Sequence, residues 1–219
     1  MNTLARVIRR DLPALPRVQL LKRGERLLEP DVYVTCLDDQ PAVVKDYSRY
    51  RWTPLSLVAR WLVRREASVL RRLAGWRHAP ALLGTLGGLV LGIELVPGQP
   101  LGSAGMEVGE EIFRQLRAAV AHLHAVGILH NDLHGANVMV GAGSLVLIDY
   151  TSAIRVPRWM RRLPIVRQLR RSDLANTLKM QSRAAGQAMP MRWHATLSEP
   201  AWVSGARAGW KRFYRRFKR

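Results

Sequence analysis

Short apolar runs occupy the first hundred residues, and longer amphipathic stretches follow them. Three of the runs are RVQLLKRG (residues 17–24), DVYVTCL (31–37) and PAVVKDY (41–47), with Gly24 and a DDQP turn at 38–41 between them. Runs rich in Val, Tyr and Thr that are bounded by turn residues are typical of β-strands. The pattern therefore predicts three strands at the start of the chain.

The next segment predicts a helix followed by two further strands. Thr53 and Pro54 form a helix start, and LSLVARWLVRREASVLRRLAG continues to a stop at Gly75. After it, LLGTLGGLVLGIELVPG predicts two strands joined at Gly87 and Gly88.

The second half of the chain changes to a helical period. EEIFRQLRAAVAHLHAVG has an apolar stripe that predicts a helix ending at Gly127. The stripe consists of Ile112, Leu116, Val120 and Leu123. A strand, SLVLIDY, follows, and the rest of the chain to Arg219 is predicted to be helical and basic. The order predicts an α+β fold with a β-rich first lobe (1–96) and a mainly helical second lobe (97–219).

Charge is the unusual feature of the composition. The chain of 219 residues has 35 Lys and Arg against 16 Asp and Glu, a net charge of +19. Such a charge indicates a polyanionic neighbour, either nucleic acid or an anionic membrane surface. The single Cys36 argues against a disulfide framework and a Cys-based zinc site, which suits a cytoplasmic location. No stretch predicts a secretory signal or a membrane span, so we expect a soluble or peripheral protein.

One segment, GILHNDLHGANVMV (127–140), places polar groups between two apolar runs. It is either a surface turn or part of a phosphoryl-transfer site. Asp132 lies in this segment and Asp149 ends the later apolar strand, so a loop and hairpin can bring both carboxylates to one side of a cleft. Asn137 follows Asp132 by five residues.

Phosphoryl transfer needs oxygen ligands for Mg²⁺, a carboxylate near the attacking hydroxyl and a cation on the nucleotide phosphates. Asn137 and Asp149 supply the metal ligands, and Asp132 accepts the hydroxyl proton. Lys45, at the end of an apolar strand, supplies the cation, and Glu66 on the following helix can pair with it. Taken alone, Lys45 also fits a solvated lysine at a strand end.

These residues resemble a known family. HNDLHGAN resembles the catalytic-loop motif H-R-D-L-x-x-x-N of protein kinases, IDY resembles the metal-binding D-F-G, and AVVKD resembles the strand motif V-A-I-K. LVLGIELVPGQPL resembles the hinge between kinase lobes. Over residues 17–180 the chain therefore resembles the protein-kinase-like superfamily, and its small size and H-N-D-L loop are most similar to compact bacterial RIO-like and lipopolysaccharide-core kinases.

The resemblance implies a two-lobed fold with a trimmed helical lobe, and it implies ATP and Mg²⁺ as cofactors. The implied catalytic residues are Asp132, Lys45 and His130, the last orienting the loop. The implied nucleotide contacts are Lys45, Glu66, Glu94 and Val96, and the implied metal ligands are Asn137 and Asp149. In SDLANTLK, Ser172 is expected to cap a helix whose Asp173 braces the catalytic loop.

The sequence also departs from the family pattern. There is no G-x-G-x-x-G, and the first strand turn offers only Gly24. Asn131 replaces the loop arginine, Tyr150 and Thr151 replace Phe-Gly, and no A-P-E follows, which removes the usual docking platform for peptides. A less favoured interpretation makes His130, His134 and Asp132 metal ligands, whereas His122 and His124 have the wrong spacing for a zinc pair.

Three segments combine arginines with aromatic residues: 49–65, 153–171 and 206–219. Each can be a solvated helix face over a core, but together they favour an anionic surface. Basic aromatic helices lie in bilayer interfaces, and aromatic side chains can also stack on unpaired bases. Since no RNA- or groove-reading motif is found, we favour a membrane over nucleic acid.

The leading hypothesis is an ATP- and Mg²⁺-dependent phosphotransferase at the cytoplasmic membrane face. Its acceptor is a hydroxyl of lipopolysaccharide or another lipid-linked sugar, or a protein Ser or Thr. A catalytically weak or inactive kinase-fold protein that binds a membrane or ribosomal partner is the alternative, and a RIO-like role in ribosome assembly is a third. The sequence leaves the oligomeric state open.

Overall fold

The computed structural model describes residues 19–37, 40–106, 108–141 and 143–184. Its first half is built on an antiparallel five-stranded sheet with the order β1-β2-β3-β5-β4. The strands are β1 (Gln19–Lys22), β2 (Asp31–Leu37), β3 (Gln40–Asp46), β4 (Leu82–Leu86) and β5 (Val90–Glu94). The five strands predicted for this half are present, each within its predicted run except that β3 begins one residue early, at Gln40.

Helix α1 (Ser56–Arg72) connects the third and fourth strands. It begins slightly later than the predicted start, because the Thr53 hydroxyl donates to the Tyr50 carbonyl (2.9 Å) in the preceding turn instead of capping the helix. The chain leaves the helix through Gly75, whose φ of +78° favours glycine. The buried face of α1 includes Val63, Glu66 and Leu70.

As far as residue 184, where the described part of the chain ends, the second half holds two α-helices, α2 (Glu110–Ala125) and α3 (Pro164–Ala184), with short strands between and beside them. Strands β6 (Gln99–Pro100), β8 (Val138–Gly141) and β9 (Ser144–Leu147) form one small antiparallel sheet. Strands β7 (Ile128–Leu129) and β10 (Ile154–Arg155) form another. Because β7 precedes the predicted catalytic loop and β9 precedes Asp149, these strands bring the two predicted carboxylates to one region.

The core runs through both halves. The predicted α2 stripe of Ile112, Leu116, Val120 and Leu123 is buried, together with residues of α1, β5 and β9, in one apolar cluster. A continuous cluster of this kind fixes the strand-rich half against the helical half. The predicted α+β architecture, with a strand-rich first half and a mainly helical second half, is confirmed for the described residues. The domain boundary at residue 96 stays a prediction.

The predicted role of Ser172 as a helix cap is wrong. Helix α3 begins at Pro164, eight positions earlier, and Ser172 lies in its interior. The Arg167 amide already donates to the Leu163 carbonyl (3.1 Å), which starts the helical ladder before the serine is reached. Pro164 fits the first helical position because its missing N–H has no partner to lose there.

Two segments with a sequence prediction lie wholly or partly outside the described residues. The third basic aromatic segment (206–219) and part of the DDQP turn lie outside the described residues. Among the residues that are described, no helix combines the length and the apolar character needed to cross a bilayer.

Candidate active site

Lys45 lies near the end of β3, in a strand whose alternate residues enter the core. Its side chain is buried, and its Nζ donates to Glu66 Oε1 at 2.7 Å and to Asp149 Oδ1 at 2.6 Å. Glu66 is buried on the facing side of α1. The predicted pairing of Lys45 with Glu66 is confirmed, and the interpretation of Lys45 as a solvated lysine is excluded by its burial.

The three charges stabilise one another. Burial alone would lower the pKa of Lys45, but the carboxylates of Glu66 and Asp149 outweigh it and raise that pKa above its ordinary value. Burial would raise the pKa of Asp149, but the Lys45 charge and its hydrogen bond outweigh burial and lower it. Lys45 and Asp149 are therefore both charged at neutral pH, as a phosphate-binding cation and a metal ligand must be.

Thr151 completes this cluster, and sequence reasoning missed it. Its Oγ1 lies 2.7 Å from Asp149 Oδ1, 2.8 Å from Glu66 Oε2 and 3.0 Å from Lys45 Nζ. A hydroxyl has one hydrogen, so Thr151 accepts from Lys45 and donates to one carboxylate at a time. The sequence did contain one indication of this role. Thr151 follows Asp149 by two positions, and the hydroxyl of a threonine can bond to side chains or backbone groups so close in sequence.

Asp149 has an unusual backbone that aims its carboxylate. Its φ of 60° and ψ of 73° are left-handed, a conformation that Asp adopts more readily than most residues. Within the described residues its hydrogen bonds, from Lys45 and from Thr151 N and Oγ1, all reach Oδ1. Its Oδ2 is therefore the atom that can bind a cation.

The loop between β7 and β8 holds the other two predicted reactive groups. The buried Asn137 donates from Nδ2 to the Asp132 carbonyl at 2.9 Å, so its amide oxygen is the atom that can bind a metal. The Asp132 side chain is 52% exposed, with its Oδ2 3.8 Å from His134 Nε2. A carboxylate that solvent reaches is one that an acceptor hydroxyl can also reach.

His130 acts inside the protein. Its Nε2 lies 3.1 Å from the Ile148 carbonyl, and its ring packs on Tyr150 with 5.0 Å between centroids. Because a carbonyl only accepts, Nε2 carries the hydrogen. Burial lowers the pKa of His130, so the ring is neutral at pH 7. These contacts fit the predicted orienting role and separate His130 from the His134–Asp132 pair, which argues against a shared metal site.

Asp173 braces the loop as predicted, although from the middle of α3. Its Oδ2 accepts from the His130 amide (3.0 Å) and its Oδ1 from the Asn131 amide (2.9 Å). His124 Nε2 lies 3.1 Å from the same carboxylate. Asn131 has a φ of 62°, so the brace holds a left-handed turn directly before Asp132.

Two of the predicted nucleotide contacts, Glu94 and Val96, lie where β5 leaves the sheet. The Glu94 amide donates to the Ala81 carbonyl and its carboxylate accepts from the Ala81 amide, both at 2.9 Å. The Leu95 amide donates to the Pro41 carbonyl (3.3 Å). The N–H groups of Glu94 and Leu95 are thus engaged within the protein, and the nucleotide roles of Glu94 and Val96 stay predictions.

The turn between β1 and β2 is ordered without a glycine-rich motif. The Gly24 amide donates to Asp31 Oδ1 (2.9 Å), and the Arg49 guanidinium donates to the carbonyls of Gly24, Arg26 and Glu29. A Cβ on Gly24 would overlap the Glu29 carbonyl oxygen. Arg49 is a second residue that the sequence did not reveal, since it lies 25 positions from the turn that it holds.

A cavity of about 390 Å³ adjoins the loop at Gly135. Its lining includes Leu101, Ser103, Met180 and Arg183, so it is largely apolar with a hydroxyl and a cation. It lies beside the loop and does not include the residues of the Lys45 cluster.

The donor set suits Mg²⁺ and a nucleotide. Asp149 Oδ2 and the Asn137 amide oxygen are hard oxygen ligands of the kind that Mg²⁺ prefers in small number. Lys45 is a charged group held by carboxylates at the same place. The roles of Asp132, Lys45, His130, Glu66, Asn137 and Asp149 toward a ligand stay predictions, but the geometry that those roles require is present.

Comparison with known sequences gives partial matches. No protein-family model matches the chain. CBL-interacting protein kinase 22 of Oryza sativa subsp. japonica is 35% identical over 40% of this chain, and a probable bifunctional tRNA threonylcarbamoyladenosine biosynthesis protein of Methanothermobacter thermautotrophicus is 34% identical, also over 40%. The chain spans about a fifth of the length of these relatives, 22% and 16%.

Comparison with solved structures covers more of the chain. A Rio2 kinase–ADP/Mg²⁺–phosphoaspartate complex from Chaetomium thermophilum matches 80% of this chain and 58% of its own, with a TM-score of 0.60 and 15% identity. A second Rio2 kinase structure from the same organism matches 77% of the chain with a TM-score of 0.59. At this identity the likeness shows the fold alone, and the predicted two-lobed kinase-like fold is confirmed.

Proposed function

We propose that the protein is an ATP- and Mg²⁺-dependent phosphotransferase. The observation that carries the proposal is the buried Lys45, whose Nζ lies 2.7 Å from the buried Glu66 and 2.6 Å from the partly exposed Asp149. A buried lysine held between two carboxylates has no evident use in packing, because burying charges costs free energy that a hydrophobic core would not incur. The Rio2 kinase fold, solved with ADP and Mg²⁺, supports the nucleotide assignment.

Each residue has a distinct role in the proposed reaction. Asp149 Oδ2 and the Asn137 amide oxygen hold the metal, and Lys45 binds nucleotide phosphate oxygens while Glu66 keeps it extended. Bound Mg²⁺ supplies charge neutralisation on the phosphates. Asp132 accepts the proton of the acceptor hydroxyl as that oxygen takes the γ-phosphoryl group and ADP is released. Asp173 and His130 hold the loop that presents Asp132.

The proposed acceptor is a hydroxyl of lipopolysaccharide or another lipid-linked sugar, with a protein Ser or Thr as the other choice. The missing A-P-E motif supports a non-peptide acceptor. The net charge of +19 supports a location in the cytoplasm on the inner face of the membrane, where anionic lipids attract basic surfaces.

Transfer of label from γ-labelled ATP and Mg²⁺ into a membrane extract tests this function. The wild type is compared with Asp132→Ala and with His134→Ala, a control that changes the neighbouring half-exposed side chain. We expect label in the glycolipid fraction that Asp132→Ala abolishes and His134→Ala largely retains. Label on a protein band would change the acceptor to Ser or Thr. No Asp132-dependent label in either fraction would contradict phosphotransfer.

A binding protein without phosphotransfer is the second candidate. The observation that favours it is the direct bond between Lys45 and Asp149, with which a nucleotide phosphate must compete. The turn after β1, with Gly24 alone, points the same way. ATP turnover that Asp149→Ala abolishes would exclude this candidate. Salt-dependent RNA binding without turnover would favour a ribosomal partner.

A further inference from the structure

Four large apolar side chains are exposed within ten residues at the start of α1 and in the turn before it. Their exposed fractions are 88% for Trp52, 78% for Leu57, 41% for Val58 and 55% for Trp61. We call these four residues the aromatic face. On a helix, positions 57, 58 and 61 share one side, while Ala59 and Val63 enter the core. Single exposed apolar residues are ordinary, but a group of them marks an interaction site.

The charged residues within the segment that carries the aromatic face are all positive. Residues 47–65 contain five arginines and neither Asp nor Glu. The Arg51 guanidinium lies over the Trp52 ring, and that of Arg65 over the Trp61 ring, each 5.0 Å from the ring centroid. The tryptophans therefore lie beside cations, an arrangement that suits the boundary between apolar lipid chains and lipid phosphates.

A second segment without acidic residues packs against the same helix. Residues 150–172 contain seven arginines and neither Asp nor Glu. The Arg65 guanidinium donates to the carbonyls of Ser152 (2.6 Å) and Ala153 (2.7 Å). This second segment exposes Trp159 as well, at 78%. The basic surface thus continues from α1 to the residues that directly follow Asp149.

We propose that the aromatic face docks the protein on a bilayer that contains anionic lipid. The tryptophans and Leu57 enter the headgroup region, and the flanking arginines bind lipid phosphates. The proposal rests on the proposed function and deepens it, because α1 carries both the aromatic face and Glu66. Docking through the aromatic face holds the protein at the surface that carries lipid-linked hydroxyls.

Charge argues against the other occupants of this face. A second copy of the chain carries the same net charge of +19. The chain's own ends are basic as well: residues 1–18 have four Arg and one Asp, and residues 185–219 have eight Lys and Arg and one Glu. Like charges disfavour either contact, whereas a bilayer with anionic lipid supplies the opposite charge.

Vesicle co-sedimentation of the full chain tests the proposal. The vesicles contain phosphatidylcholine alone or with 30% phosphatidylglycerol, at fixed salt. The test variant is Leu57→Ser with Trp61→Ser. The matched control is Leu20→Ser with Leu21→Ser, two apolar residues that are each 50% exposed on β1. Circular dichroism checks that both variants fold, and Mg²⁺-ATP affinity is measured without vesicles.

We expect the test variant to lose at least tenfold in partition to anionic vesicles and the control less than twofold. Equal loss in both variants, no loss in the test variant, or equal binding to neutral vesicles would overturn the proposal. The proposal would also be overturned if the wild type bound a single-stranded oligonucleotide and the test variant lost that binding while its binding to vesicles stayed unchanged. If ATP is bound but the test variant binds vesicles normally, the docking surface fails and the function stands. If vesicle binding depends on the face but ATP is not bound, the function fails and the surface stands.

Discussion

Replacing Asp173 with Asn should destabilise the protein and its catalytic loop together. The carboxylate is almost completely buried and accepts from the amides of His130 and Asn131, with His124 Nε2 also in contact. Asparagine keeps the size but replaces one acceptor oxygen with an NH₂ group. That group faces a donor, so at least one buried N–H loses its partner.

The structure sets the expected magnitude. A hydrogen bond to a charged group contributes about 1.5–3 kcal/mol, and an unsatisfied buried donor costs about 1–3 kcal/mol. In Asp173→Asn one hydrogen bond is lost and the new NH₂ group faces another donor, so the free energy of unfolding should fall by about 3 kcal/mol. For comparison, the total free energy of unfolding of ordinary domains is about 5–15 kcal/mol. Asp173→Ala removes both acceptors and should cost about 4 kcal/mol.

Urea unfolding followed by circular dichroism measures this loss. Ser172→Ala is the matched control, one residue away in α3. Since Ser172 lies in the helix interior, alanine should stabilise by a few tenths of a kcal/mol, whereas loss of a true cap would cost about 1 kcal/mol. In phosphotransfer, Asp173→Asn should lower kcat more than it raises the KM for ATP, because Asp173 positions Asp132 and not the nucleotide.

A loss below about 1 kcal/mol for Asp173→Asn would refute this reasoning, since it would mean that the loop amides find other partners. Destabilisation with unchanged kcat at a temperature where the variant is folded would refute the positioning role alone. If Ser172→Ala lowered the free energy of unfolding by about 1 kcal/mol, Ser172 would be acting as a helix cap after all.

Three further predictions concern Thr151, Gly24 and His130. Thr151→Val should raise the KM for ATP several-fold while Thr151→Ser stays near wild type, because only the hydroxyl contacts Lys45, Glu66 and Asp149; equal effects of both variants on steady-state kinetics would contradict this. Gly24→Ala should weaken ATP binding measured by titration calorimetry, since its Cβ overlaps the Glu29 carbonyl in the turn after β1, and an unchanged affinity would remove that turn from the site. Burial lowers the pKa of His130, so below about pH 6.5 the unfolded chain binds a proton that the folded chain does not, and stability falls as the pH drops. His130→Gln should reduce, by on the order of 1 kcal/mol, the difference between the free energies of unfolding measured in urea at pH 7.5 and at pH 5.5. An unchanged difference would mean that other groups cause the pH dependence.

Local patterns revealed most of the fold. The strands around Lys45 and the α2 stripe were readable because alternation and the helical period report directly on which side chains enter the core. The Lys45–Glu66 pair followed from the same logic, since a lysine at the end of a buried strand needs a carboxylate near it. The structure places the two 21 residues apart in sequence and 2.7 Å apart in space.

The sequence did not reveal contacts that depend on distant parts of the chain. Thr151 looked like a departure from Phe-Gly, but its hydroxyl joins groups from β3 and α1 that are more than 80 residues away. Arg49 holds a turn 25 residues upstream. No local pattern encodes such partners, because a side chain's neighbours are set by tertiary packing.

The Ser172 error has the same origin. A serine before Asp-Leu-Ala-Asn looks like a helix start, but the basic stretch from Pro164 already forms two turns of α3. Those turns expose arginines and bury only Val166 and Gln168, so their apolar period is weak. The packing of α3 under the catalytic loop decides its length. The prediction for Asp173 came from the resemblance of SDLANTLK to a kinase helix and did not depend on where that helix begins.

The most direct test of the account is calorimetric titration with a non-hydrolysable ATP analogue, with and without Mg²⁺. We predict binding that depends on Mg²⁺ in the wild type and falls at least tenfold in Asp149→Asn and in Lys45→Met, while His134→Ala binds normally. Binding that ignores both Mg²⁺ and Asp149, or no binding by the folded wild type, would contradict the assignment of the Lys45–Glu66–Asp149 cluster as a nucleotide site.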